Sequence, residues 1–103
     1  MKVKRITSLQ VNASTFKVVW DKTHNGGSFS YGKNKNINIG TRYMDDNELF
    51  MVVCHEVMEI VACEVNVRLN RPDCGSDYIF VYDHRQHETM MNMFSRLVSQ
   101  FIK

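Results

Sequence analysis

Apolar and polar residues alternate from Thr15 to Gly40, then fall into a helical rhythm over most of the remaining chain. In Thr15 to Lys22, Phe16, Val18 and Trp20 alternate with Lys17 and Asp21, the period of two that turns one strand face to a core. His24-Asn25-Gly26-Gly27 has turn chemistry, since Gly and Asn tolerate positive φ, and His24 reads as a solvated turn residue. Alternation resumes in Ser28 to Tyr31, stops at Gly32-Lys33-Asn34-Lys35 and returns in Asn36 to Gly40, with Ile37 and Ile39 on one side. The pattern predicts a three-stranded antiparallel meander with short connections. Val3, Ile6, Leu9 and Val11 fit neither period, so Met1 to Val11 is open between a strand and a short helix.

Two helices follow. Asp45 or Asp46 is suited to cap the first, which is expected to run to about Arg68. Leu69 to Asp77 contains Pro72 and Gly75 and reads as a loop. Tyr78 to Tyr82 is open between a short strand and the first turns of the next helix, because so short a run has no decisive period. Asp83 then caps a helix over His84 to Ile102. With His87 as origin, Met90, Met91, Phe94, Leu97, Val98, Phe101 and Ile102 all fall within about 80° of it, and His84 about 60° away. His87 is thus expected at the centre of a core-facing stripe. Only these helices can cover the apolar face of the sheet. The expected class is α+β, a small antiparallel β-meander packed against two principal helices, in a single domain over residues 1–103.

Composition narrows the options. A chain of 103 residues supports one modest core, and 44% hydrophobic with 23% charged residues is the balance of an ordinary globule. A formal charge of +2 gives no case for nucleic acid or for an anionic membrane surface. No apolar run approaches the roughly 20 residues that span a bilayer, and the amino-terminal stretch lacks the apolar run of a signal peptide. Cys54, Cys63 and Cys74 are odd in number and form no C-x-x-C pair, which fits packing residues in a reducing, cytoplasmic compartment. The oligomeric state is left open.

The chemistry is concentrated in Leu49 to Cys63, LFMVVCHEVMEIVAC, where His55, Glu56 and Glu59 interrupt an apolar run. On a helix His55 and Glu59 project one turn apart, with Glu56 beside them. H-E-x-x-H presents two zinc ligands in this way, and its Glu acts on water; here the string is H-E-x-x-E. A carboxylate is an acceptable zinc ligand, and the commonest hydrolytic set is two His with one carboxylate. If Glu59 is the carboxylate, a second His is owed. His87 and His84 are both candidates for it, with His87 preferred; His84 is otherwise an outer-sphere donor or a fourth ligand. The competing interpretation is a solvated polar stripe, since Glu48 and Asn66 share the sector.

Gly26-Gly27-Ser28-Phe29, Ile37-Asn38-Ile39-Gly40, Cys54 through Glu59, and His87 through Phe94 to Leu97 together resemble the layout of the ImmA/IrrE-type zincin metallopeptidases. The resemblance implies a zincin-like domain holding Zn2+, with His55 a ligand, Glu56 the general base, Glu59 the second ligand and the third near His87. Against that family's pattern two ligands are exchanged, Glu for His and His for an acidic residue, and the exchanges compensate. A hydrolase of this kind is expected to act on a peptide or protein in extended conformation lying along Asn36 to Ile39. Tyr78 or Tyr82 is the candidate oxyanion stabiliser. The alternative is an inert zincin-like scaffold that binds a partner protein and carries a structural or vestigial metal.

Overall fold

The computed structural model describes residues 2–70 and 78–103. In chain order the elements are β1 (Ser8–Val11), β2 (Ser14–Asp21), β3 (Asn25–Ser30), β4 (Asn36–Thr41), α1 (Asp46–Glu64), β5 (Arg68–Asn70), β6 (Tyr78–Phe80) and α2 (His84–Ser99). The class is α+β as expected: a four-stranded sheet carries the two helices, and β5 and β6 form a separate two-stranded ribbon. No helix among the described residues is long and apolar enough to cross a membrane.

The segment left open at the amino terminus supplies β1, which forms a hairpin with β2 around Asn12, a residue in the left-handed region at φ 52°. The meander is not formed. The sheet order is β1-β2-β4-β3, with β2 and β4 parallel and β3 antiparallel to β4. Alternation tells which face a residue takes, but not which strand lies alongside. Burial makes that choice here. β4 carries Ile37 and Ile39, both fully buried, and takes an interior position; β3, with its sequence NGGSFS, stays largely exposed at the edge. At the end of β2 the Asp21 carboxylate accepts from the Thr23 backbone at 2.8 Å and hydroxyl at 2.6 Å, with the His24 ring at 2.8 Å. These bonds, those from Thr23 foremost, hold the Asp21 carboxyl at about 2. Gly40 lets the next strand close in: a Cβ there would lie 2.5 Å from the His24 carbonyl oxygen.

Asp45 is the cap of α1. Its side chain accepts from the Glu48 backbone at 2.9 Å, and Glu48 reaches back to the Asp45 N–H, a capping box. Along the helix Leu49, Val53, Val57, Ile60 and Val61 join Leu9, Phe16, Ile37 and Ile39 in one core. The helix stops at Glu64, short of Arg68. Asn66 adopts φ 62°, its N–H bonds the Cys63 carbonyl at 3.2 Å, and the Val67 N–H bonds the Ala62 carbonyl at 3.0 Å. This is a Schellman stop with Asn as the left-handed residue. The chain therefore reverses, and Arg68 opens β5 opposite Phe80 of β6. Tyr78 to Phe80 is strand, which settles the Tyr78–Tyr82 ambiguity. The rest of the expected loop, residues 71–77 with Cys74, lies outside the described residues.

Asp83 caps α2 with a second capping box through Gln86. The stripe buries Met90, Leu97 and Val98, and Phe101 just beyond the helix. The helix ends at Ser99 instead of Ile102 because the chain turns there to pair Ile102 with Val3. Replacing Ile60, fully buried, by Ala is expected to cost about 2–5 kcal/mol in a denaturant melt. Met51→Ala, at a position 72% exposed, is expected to change stability by about 0.5 kcal/mol or less.

Candidate metal-binding site

Three side chains of α1 converge beside β3. His55, Glu56 and Glu59 each offer a ligand atom, and these atoms lie within 4.8 Å of one another. The helical spacing of one and four residues produces this: His55 and Glu59 stand one turn apart, with the His55 Nε2 3.6 Å from a Glu59 oxygen. A His and two carboxylates are a donor set able to hold a divalent ion.

The environments of the three differ. The His55 side chain is 71% exposed and that of Glu59 25%. Glu56 is only 3% exposed, the one charged residue buried among those described. It lies against β3 because residue 27 is glycine: a Cβ there would stand 2.8 Å from the Glu56 Cγ and 3.0 Å from Val52. The Glu56 Oε2 is buried and has no hydrogen-bond partner. Burial pushes the Glu56 carboxyl above its ordinary range; His55 and Arg68 pull it down, and the Glu59 charge adds to the rise.

Arg68 completes the local electrostatics and was not expected from the sequence. Its guanidinium lies 3.8 Å from the centre of the Tyr78 ring and 5.4 Å from that of Phe29. One nitrogen is 4.0 Å from Glu59, and another donates to the Cys63 sulfur at 3.5 Å. The signal that could have found it is Asn66. Asn at the position after a helix end marks a stop, and a stop there turns Arg68 back towards the helix.

Two clefts meet at the donors. A small polar cleft runs along β3, bordered by Gly27, Ser28, Arg68 and Tyr78 with all three donors. A larger apolar cleft of about 690 Å³ lies between α1 and α2, and His55 and Glu59 border it too. His87 lines this second cleft but does not belong to the group of three. The expected core position is corrected: His87 is exposed, in the first turn of α2, stacked on Tyr82 at 6.0 Å and 6.4 Å from the His84 ring. A helical wheel gives direction round the axis but not depth along it, and the stripe starts before the core does. The His84 side chain is 85% exposed and pairs with Glu88 at 3.7 Å. Of the two tyrosines, Tyr78 borders the polar cleft and Tyr82 the apolar one. The strand Asn36 to Ile39 cannot receive an extended peptide, because β4 is already bonded on both sides. The free sheet edge beside the donors belongs to β3. No protein-family model matches the chain, and neither does any curated protein or solved structure.

The orphaned carboxylate makes a signed prediction. An acid whose pKa rises on folding destabilises the fold once it ionises. That cost is absent well below the ordinary value of 4.5 and grows as pH rises towards the folded-state value. In chelator at neutral pH, Glu56→Gln is expected to be more stable than the parent by about 1 kcal/mol in urea melts, with the gap closing in acid. Gly27→Ala is expected to destabilise by about 1–3 kcal/mol, and a double-mutant cycle with Glu56→Ala should recover most of the loss.

Proposed function

We propose that the protein is a zinc-dependent hydrolase of the zincin type, similar in layout to the ImmA/IrrE-type peptidases, acting on a peptide in extended conformation. The observation that carries this proposal is the buried, unpartnered Glu56 Oε2 within a group of three ligand donors. A solvated polar stripe would explain His55 and Glu59, which both reach water and lie 3.6 Å apart. It leaves Glu56 unexplained, since a buried carboxylate without a partner is costly.

In this proposal His55 and Glu59 hold the ion. His87, which lines the apolar cleft that both of them border, is assigned the third position, with His84 next to it as outer-sphere donor or fourth ligand. A bound zinc ion supplies Lewis acidity that brings the pKa of water towards neutrality. Glu56 would be the proton acceptor; burial makes its charged form costly and so raises the carboxylate's proton affinity. The outer edge of β3 offers unpaired backbone groups to an extended peptide, replacing β4 in that role. Tyr78, on the polar cleft, is preferred to Tyr82 for stabilising an oxyanion. Free Cys54 and Cys63 fit a cytoplasmic setting.

Arg68 favours a second reading. A permanent cation 4.0 Å from Glu59 weakens that carboxylate's hold on another cation, as suits a scaffold that keeps a zincin-like shape and binds a partner protein. Metal analysis and turnover separate the two. After zinc loading and desalting, the parent and Glu56→Gln are expected to retain about one ion per chain, and Glu59→Ala and His87→Ala to lose it. Cleavage of a peptide mixture is expected to fall by about 10²–10⁴ in Glu56→Gln. Equal zinc content in the parent, Glu59→Ala and His87→Ala would overturn the ligand set; undiminished cleavage by Glu56→Gln would remove the base.

A further inference from the structure

The cleft between α1 and α2 has a chemistry of its own. At about 690 Å³ it falls in the range of sites that enclose small ligands. Phe50, Met51 and Met58 of α1 face Met90, Met91 and Phe94 of α2 across it. Its ionisable side chains are Cys54, His55, Glu59, Tyr82 and His87. Two of these, His55 and Glu59, are donors of the candidate site, so the cleft opens onto it.

We propose that this cleft recognises one bulky aliphatic or aromatic side chain of a peptide whose backbone passes over His55 and Glu59. That the side chain belongs to a peptide rests on the proposed hydrolase; the preference for an apolar group does not. Three observations select the occupant. The walls are thioether and aromatic surface, which gains free energy by leaving water. Much of that surface is open now, with Met51 72% exposed, Phe80 47% and Tyr82 46%. Charge is disfavoured in either sign. A charged group entering the cleft would find the polar side chains already engaged, Glu59 with His55 and Arg68, and the His87 ring stacked on Tyr82. Four methionines, Met51, Met58, Met90 and Met91, give walls that reshape, so leucine, methionine and phenylalanine side chains are all expected to enter.

The test uses the full chain labelled at the methionine methyl carbons and titrated in chelator with three probes. These are N-acetyl-leucyl-glycinamide, N-acetyl-phenylalanyl-glycinamide and N-acetyl-aspartyl-glycinamide. The leucyl and phenylalanyl probes are expected to shift the methyls of Met51, Met58, Met90 and Met91, and to bind roughly tenfold tighter than the aspartyl probe. Met44, which does not border the cleft, serves as the unshifted control. Met51→Asp and Met91→Asp place a charge on exposed wall positions, are expected to keep the parent's melting midpoint, and should weaken the leucyl probe roughly tenfold. Equal binding of all three probes, unshifted cleft methyls, or undiminished binding to both aspartate variants would overturn the proposal. Selective binding in a protein that neither retains zinc nor cleaves peptides would uphold the cleft and discard the hydrolase. Cleavage indifferent to side chain with unshifted methyls would do the reverse.

Discussion

Glu56 lies against the backbone of β3, where Gly27 has no side chain to keep it away. That contact sets how near α1 approaches the sheet edge, and the approach determines the rest of the site. With the helix this close, His55 and Glu59 reach the cleft beside β3, and the Glu56 oxygen is sealed from solvent without a partner. The fold tolerates this because a long apolar interface surrounds it: Val53, Val57 and Ile60 of the same helix are fully or almost fully buried. Burial of such side chains contributes about 1.5–3 kcal/mol each, enough to offset one unsatisfied carboxylate.

The charges around that carboxylate form a graded series. His55 and Glu59 are partly open to water, so their pairing contributes about 0–1 kcal/mol and yields readily to a competitor. Arg68 is held more firmly, between the Tyr78 and Phe29 rings, and keeps its charge under all ordinary conditions. A divalent cation binding here would meet a carboxylate already partly neutralised. The hydrolase and the scaffold differ in which cation Glu59 favours.

Much of this was legible in the residues. Both helix starts were, because Asp45 and Asp83 carry their capping partners three positions on. The donor trio was, because helical spacing brings neighbours together whatever the tertiary fold. Strand order was not. Period-two alternation in β2, β3 and β4 says nothing of partners, and only the deep burial of Ile37 and Ile39 placed β4 inside. The exposure of His87 was hidden for a related reason, since depth along α2 depends on where α1 and the ribbon end. Arg68 was hidden by an overlong helix, and the clue lay in Asn66.

The Schellman stop has a mechanical consequence. Two backbone hydrogen bonds tie the last turn of α1 to the start of β5, so the guanidinium is coupled to the helix that bears the donor trio. His55, Glu56, Glu59 and Arg68 thus ride on one body, while Gly27, Ser28 and Phe29 ride on the sheet. A small slide of helix over sheet would keep the spacing of these four groups and change the gap facing them. Because packing on β3 buries Glu56, and that burial raises its carboxyl pKa, the same slide would also retune the acid: aperture and proton affinity move together.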